Sequence, residues 1–302
     1  MFLVLAAIGF ASCNGGFKQG PNGILYNVHS EKGKTKIKEG DFVATHVVFK
    51  NDADSVIFNS YDGGQPQYLI VEAPQFKGDM MDGIKLVGEG DSLTLKVSAD
   101  SVFKNGQPRP PSFKSSKYLV YDLKIDKVIP KGTLSEEVFQ RTISTYIRGQ
   151  VDVVKKQEPA KIQKYIADNK LTALKTDSGL YYVITKQGNG PLIAVGDTAV
   201  AYYSGRLLNG KMFDSNVREE AVKGKLDRLE QRQFQPIRFA VGQDAVIAGW
   251  HLGFQLLNKG SKATLIIPSK LAYGEQGMRD AIPGNSPIMF DVEVVDVIHP
   301  KK

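Results

Sequence analysis

A single cysteine, Cys13, means that no disulfide can form within the chain. The four histidines, His29, His46, His251 and His299, stand apart from one another and from that cysteine, so no zinc-ligand spacing occurs. No P-loop, dinucleotide fingerprint or nucleophile constellation is present, and neither a cofactor nor a metal is expected. Dense Lys/Arg runs are missing too. The 39 basic and 32 acidic residues are spread along the chain, and the net charge of +7 suits solubility and weak attraction to anionic surfaces rather than nucleic-acid binding. The apolar runs fall short of the roughly 20 residues that a spanning helix needs. What remains is a chain of 302 residues, 42% hydrophobic, with room for two domains of ordinary size.

The first ten residues, Met1 to Phe10, are apolar and lead into Ala11-Ser12-Cys13. An apolar core, two small residues and then a cysteine resemble the end of a bacterial lipoprotein signal. That resemblance implies a signal at residues 1–13, a lipidated Cys13 and a short tether from Asn14 to Gly20. It places the protein in the bacterial cell envelope, attached to a membrane through the lipid on Cys13 and facing the periplasm or the cell surface. The other reading of the same residues is a short buried strand at the start of a cytoplasmic protein.

The last hundred residues carry most of the chemistry. Five aromatic residues, Tyr203, Phe213, Trp250 (the only tryptophan), Tyr273 and Phe290, are spaced through them, and an acid, Asp214, follows Phe213. Thr198 to Tyr203 and Ala263 to Ile267 are rich in β-branched and aromatic residues and bounded by Gly, Pro and Asp, which predicts strands. From Phe290 to Val297 apolar residues alternate with acids, the pattern of a strand with one face buried. Between Asp244 and Leu257 the apolar positions follow a helical spacing, with Asp244 as N-cap and Gly260 as a stop. In order, the motifs are Val195-Gly196-Asp197, Tyr202-Tyr203-Ser204-Gly205, Asn209 to Ser215, Val246-Ile247-Ala248-Gly249-Trp250, Ala272-Tyr273-Gly274, Ile282-Pro283 and Phe290 to Val294. From Gly179 to Ile298 this succession resembles the FKBP-type, macrolide-binding peptidyl-prolyl isomerases.

The resemblance implies an α+β fold in which a curved antiparallel sheet wraps around one short helix, with a ligand cup between them. It implies catalytic positions at Tyr203, Asp214, Trp250 and Tyr273, with Trp250 as the floor under a proline ring. Tyr273 and the backbone N–H of Ile247 would donate hydrogen bonds to substrate carbonyls, and Asp214 would hold the Tyr203 hydroxyl. Substrate would be lined by Phe213, Ile237, Phe239, Val246, Ile247, Ile282 and Phe290. Taken one at a time, these aromatics also suit an ordinary core. Ile237 stands where an aromatic wall is common, and Met278 where a histidine is frequent. Both bear on macrolide binding more than on isomerase activity.

The first half repeats the second. Gly23 and Gly179 stand 156 residues apart, as do Gly40 and Gly196, whereas Gly90 and Gly260 stand 170 apart. This spacing describes two tandem domains rather than a solenoid, with the extra residues of the second copy between Asp214 and Ile237. The expected organisation is therefore a degenerate FKBP-like domain at 21–130, a helical linker at 133–170 and an isomerase domain at 171–302 with an insertion near 217–235. By this alignment the first copy carries Val47 for Tyr203, Asn59 for Asp214, Met80 for Trp250 and Phe103 for Tyr273. It is expected to fold alike without catalysing, either binding clients or acting as a spacer. In the linker, Thr133 and Glu136 read as a capping box, and Leu134, Val138, Ile147, Val151 and Val154 as a stripe. Pro159 is expected to start a second helix at Ala160–Asn169. The insertion reads as a solvated helix through Val222, Leu226 and Leu229, with a Glu219–Lys223 pair.

Two function classes meet these features. One is an isomerase that rotates X-Pro bonds in exported or envelope polypeptides. The other is a non-catalytic peptide-binding module or envelope chaperone of the same fold. In either case the lipid reading predicts that Cys13→Ser abolishes labelling by a radioactive fatty acid and moves the protein from the membrane to the soluble fraction.

Overall fold

The computed structural model describes residues 16–104, 108–278 and 281–300. Cys13 and the signal expected at 1–13 lie outside the described residues. The chain divides into two compact units, Met1–Ile147 and Arg148–Lys302.

Each unit holds seven strands among the described residues. In the first they are β1 (Lys18–Gln19), β2 (Leu25–Ser30), β3 (Phe42–Asn51), β4 (Val56–Asn59), β5 (Gln67–Ile70), β6 (Ser92–Ser98) and β7 (Tyr118–Ile129), with α1 (Met80–Ile84) and α2 (Ala99–Val102). A long helix, α3 (Glu136–Asp168), follows. The second unit has β8 (Leu174–Lys175), β9 (Tyr181–Lys186), β10 (Thr198–Leu207), β11 (Met212–Ser215), β12 (Ile237–Ala240), β13 (Lys262–Ile267) and β14 (Ile288–Ile298), with α4 (Arg218–Lys223) and α5 (Ala248–Phe254). The sheet orders are β1-β2-β6-β7-β3-β4 and β8-β9-β13-β14-β10-β11, with β5 on β3 and β12 on β10, so the two sheets share one topology. Among the described residues every strand pairing is antiparallel, and one short helix packs on the concave face of each sheet. This is the α+β repeat that the sequence implies.

Register pins the alignment of the copies. Val47 faces Leu123 as Tyr203 faces Val292. Each short helix touches its sheet at a glycine. A Cβ on Gly83 would lie 2.5 Å from Leu95 Cδ2, and one on Gly253 would lie 2.6 Å from Leu265 Cδ1. These contacts place Met80 at the Trp250 position. They also correct one correspondence. Phe49 pairs with Phe58, and Gly205 with Asp214, so Phe58 rather than Asn59 occupies the aspartate's place. Asn59 instead accepts from the Tyr61 N–H and caps the turn at Ser60–Gly63.

Several local expectations are corrected. The helix expected from Asp244 is shorter, because the Asp244 carboxylate accepts from the Ala240 N–H at 2.7 Å and closes the turn after β12; Ile247 holds the N-cap place. Helix α5 ends at Phe254, and Gly260, at φ +87°, serves the turn before β13 instead. Helix α3 runs unbroken through Pro159, between Val154 (8% exposed) and Ile162 (2% exposed), which are packed on either side. Proline removes one N–H donor there, and the flanking packing holds the turn. At its start, Ser135 rather than Thr133 lies beside the first turn, its hydroxyl 3.4 Å from the Val138 nitrogen. The buried face of α3 begins with Phe139 and Ile143, while Leu134 is exposed. Within the insertion the helix stops at Lys223. Lys225 and Arg228 adopt left-handed backbone, which breaks the spacing through Leu226 and Leu229, and Lys223 pairs with Glu220 rather than Glu219.

The close contact at Gly253 generates a stability prediction. Gly253→Ala should overpack Leu265 and destabilise the second unit by about 1–3 kcal/mol, read as a lower denaturation midpoint with an unchanged slope.

Candidate functional site

The second unit contains a cavity of about 520 Å³, a usual size for a ligand site. Nine residues singled out in the sequence line it together: Tyr203, Phe213, Asp214, Ile237, Val246, Ile247, Trp250, Tyr273 and Phe290. Strand β10 brings Tyr203, β11 brings Phe213 and Asp214, β12 brings Ile237, α5 brings Trp250 and β14 brings Phe290. Ala245, Ala248, Ala272 and Met278 complete the wall.

Two expected contacts are not there. Phe239 is 2% exposed, packed behind Trp250 and edge-on to Phe254, so it supports the floor and meets no ligand. Ile282 is buried in the core, and its backbone bridges to Met278, whose side chain takes the rim instead.

The rings support one another. Phe290 meets Tyr203, Phe213 and Trp250 at 5.1–5.9 Å between centroids, all edge-to-face. Tyr203 meets Trp250 in the same way at 5.1 Å. Such pairs add about 0.5–1.5 kcal/mol each beyond burial. Gly205 makes the arrangement possible, since a Cβ there would lie 2.6 Å from both Phe213 and Phe290 ring carbons. Trp250 is 5% exposed, and its buried indole N–H has no hydrogen-bond partner among the described residues.

Among the described residues Asp214 is the one acid in the wall, and each of its oxygens has a partner. The Tyr203 hydroxyl donates to Oδ2 at 2.7 Å, and the Arg232 guanidinium donates to Oδ1 at 2.7 Å. Burial, then the bond to Asp214, pushes the Tyr203 phenol far above the ordinary tyrosine range. The Tyr273 phenol is pushed up as well, first by burial and then by the Asp214 charge. Neither the Tyr273 hydroxyl nor the Ile247 N–H donates a hydrogen bond among the described residues. Both are therefore free to meet a ligand's acceptors.

Sequence reasoning missed Arg232 and Asn216. Arg232 comes from the insertion, 18 residues after its partner, and nothing in the chain's pattern announces the pairing. Asn216 is buried. It accepts from the Tyr203 N–H at 2.6 Å and donates to Ala201 and Gln235 carbonyls at 3.1 and 2.9 Å, which ties both ends of the insertion to β10. Among the described residues no cluster could hold a metal, and no helix is long and apolar enough to cross a membrane.

The first unit keeps a smaller cavity of about 210 Å³. Its lining includes Met80, Tyr121, Phe76 and Val102, which occupy the places of Trp250, Phe290, Val246 and Ala272. The contraction has a cause. Where the second unit has Gly205, the first has Phe49, whose ring stacks on Tyr121 at 4.7 Å and on Phe113 at 5.2 Å. With that space filled, β4 is left outside. Val56 and Ile57 are 57% and 42% exposed, against 6% and 8% for Met212 and Phe213 in the same places.

A curved antiparallel sheet around a short helix, with an aromatic cup between them, defines an α+β domain with a preformed apolar pocket. The FKBP-type peptidyl-prolyl cis-trans isomerase family matches residues 33–126 and 190–295, and the chain belongs to that family. A protein of Haemophilus influenzae named as a probable FKBP-type peptidyl-prolyl cis-trans isomerase is 43% identical over 122 residues, 40% of this chain and 44% of that one. The FkpA homologue of Neisseria meningitidis is 36% identical over 194 residues, 63% of this chain and 65% of its own. FkpA of Escherichia coli K12 is 34% identical over 185 residues, 57% of this chain and 61% of its own. The chain thus spans less than two thirds of each of these relatives.

The role of Gly205 is open to test. Gly205→Ala should displace the Phe213 and Phe290 rings and shrink the cup. Near-ultraviolet circular dichroism should change while the far-ultraviolet spectrum stays, and a proline peptide should bind at least about tenfold more weakly, a loss of roughly 1.4 kcal/mol.

Proposed function

We propose that the second unit accelerates rotation about X-Pro peptide bonds in exported or envelope polypeptides, with the proline ring seated on Trp250. The observation that carries this reading is the cup itself. It has aromatic walls, and the one acid among the described residues is already bound by Tyr203 and Arg232, so these residues offer burial and a few donors but no free base. Family membership of the matched residues supports the same reading.

The reaction suits such a site. The barrier to peptide rotation is about 18–20 kcal/mol and arises from amide resonance, which places charge on oxygen. Twisting removes that resonance and lowers the charge separation. Water stabilises the planar, charge-separated form more than an apolar cup does, so the cup favours the twisted state differentially, and only a differential effect raises the rate. A 10⁵-fold acceleration corresponds to about 7 kcal/mol.

Each side chain then has a part. Trp250 holds the ring by its face, while its N–H points into the buried side of the cup. Tyr273 and the Ile247 N–H donate to substrate carbonyls. Asp214 transfers no proton; with Arg232 it fixes the Tyr203 ring. A macrolide would enter the same cup, less tightly for the aliphatic wall at Ile237. The envelope location follows from the lipoprotein-like segment ending at Cys13. The first unit, with Phe49 in place of the cup, does not catalyse.

A Leu-Pro peptide assay on the mature protein checks the reading. Tyr273→Phe should lower kcat/KM about two- to tenfold, the worth of one hydrogen bond, and Trp250→Leu by more. No acceleration by folded wild-type protein would leave the peptide-binding class. The rate should be flat from about pH 6 to 9, because no cup group needs to change charge. Stability gained by burying the Tyr203 and Tyr273 phenols is complete below their unfolded range of about 10. It should be lost as pH rises above that range toward the folded-state values.

A further inference from the structure

The small cavity of the first unit has features that a mere relic does not require. At about 210 Å³ it is below the usual size of a ligand site and suits one side chain rather than a proline flanked by its neighbours. Phe76 and Met80 give it an apolar wall, and methionine adapts readily to differently shaped partners. Tyr121 puts a phenol where the second unit has the plain ring of Phe290. Among the described residues its hydroxyl makes no hydrogen bond, and burial, then the Asp79 charge, pushes the group up to about 12, so it stays a donor. Among the described residues two acids, Glu72 and Asp79, line the cavity, and no basic side chain does. The Asp79 oxygens accept from the Gln75 and Met81 N–H groups. Glu72 is exposed and has no ion-pair partner among the described residues, so its charge is available to a ligand.

We propose that this cavity is a second, non-catalytic peptide site that takes one apolar side chain next to a lysine or arginine. The side chain rests between Phe76 and Met80, the cationic neighbour pairs with Glu72, and a peptide carbonyl accepts from the Tyr121 hydroxyl. The choice of an unfolded polypeptide as occupant rests on the function proposed for the second unit. The added requirement for positive charge comes from the acids at the rim. Proline is not selected, because the floor is Met80 and Phe49 fills the room that the cup uses.

The test uses the full mature chain with ¹³C-labelled methionine methyls and the proline-free probe acetyl-Ala-Leu-Lys-Ala-amide. The Met80 and Met81 methyl resonances should shift on titration, while Met278, at the rim of the cup, stays put. Glu72→Lys, an exposed change, should weaken binding about two- to fivefold or more, the range of a surface ion pair. Tyr121→Phe should weaken it about two- to tenfold. Replacing the probe's leucine by serine should abolish the shifts. Immobile Met80 and Met81 resonances, or an affinity indifferent to Glu72→Lys, would overturn the proposal, as would shifts confined to Met278. The Leu-Pro assay on the same samples keeps the readings apart, since absent isomerase activity would not move the Met80 resonance.

Discussion

The second unit depends on how closely its short helix approaches the sheet. Helix α5 lies so near that a Cβ on Gly249 would come 2.4 Å from Ile267 Cγ2, and one on Gly253 2.6 Å from Leu265 Cδ1. Those two glycines let the helix sink into the concave face, and Trp250, between them, becomes the floor of the cup rather than a surface residue. Around that floor the edge-to-face rings hold one another, and Asp214 anchors one of them through the Tyr203 hydroxyl. Because interiors are close-packed, a single side chain added beneath or beside this cluster changes the shape of the whole site.

The two copies provide the contrast. Both keep the sheet order and the glycine under the helix, but Phe49 occupies the room that Gly205 leaves open. That position contracts the cup to the smaller cavity of the first unit. The same change exposes β4, whose counterpart β11 is buried in the second unit beside α4 of the insertion. The insertion does more than cover that strand. It supplies Arg232 to Asp214, and Asn216 fastens both of its ends to β10, so it belongs to the wall of the site. An acid set in an aromatic cup without such a partner would carry an uncompensated desolvation cost. With one, it becomes a fixed support for Tyr203.

The sequence alone determined the repeat, the fold of each unit and most of the cup. Those features rest on local patterns: alternation in strands, glycines at fixed offsets, and aromatic residues in a family's order. Nine of the eleven proposed site residues line one cavity: strand register carries Tyr203, Phe213, Asp214, Ile237 and Phe290 to one face, and α5 and the loops around it bring the other four. Only the tertiary structure decided the rest. It put Phe239 and Ile282 behind the wall, exchanged Asn59 for Phe58 opposite Phe49, and drew Arg232 across 18 residues to Asp214. It also carried α3 through Pro159, where packing on both sides outweighs a missing donor. These outcomes depend on volume and on pairing between residues distant in the chain. A local pattern records which side chains are apolar or charged, but not which of them will compete for the same space.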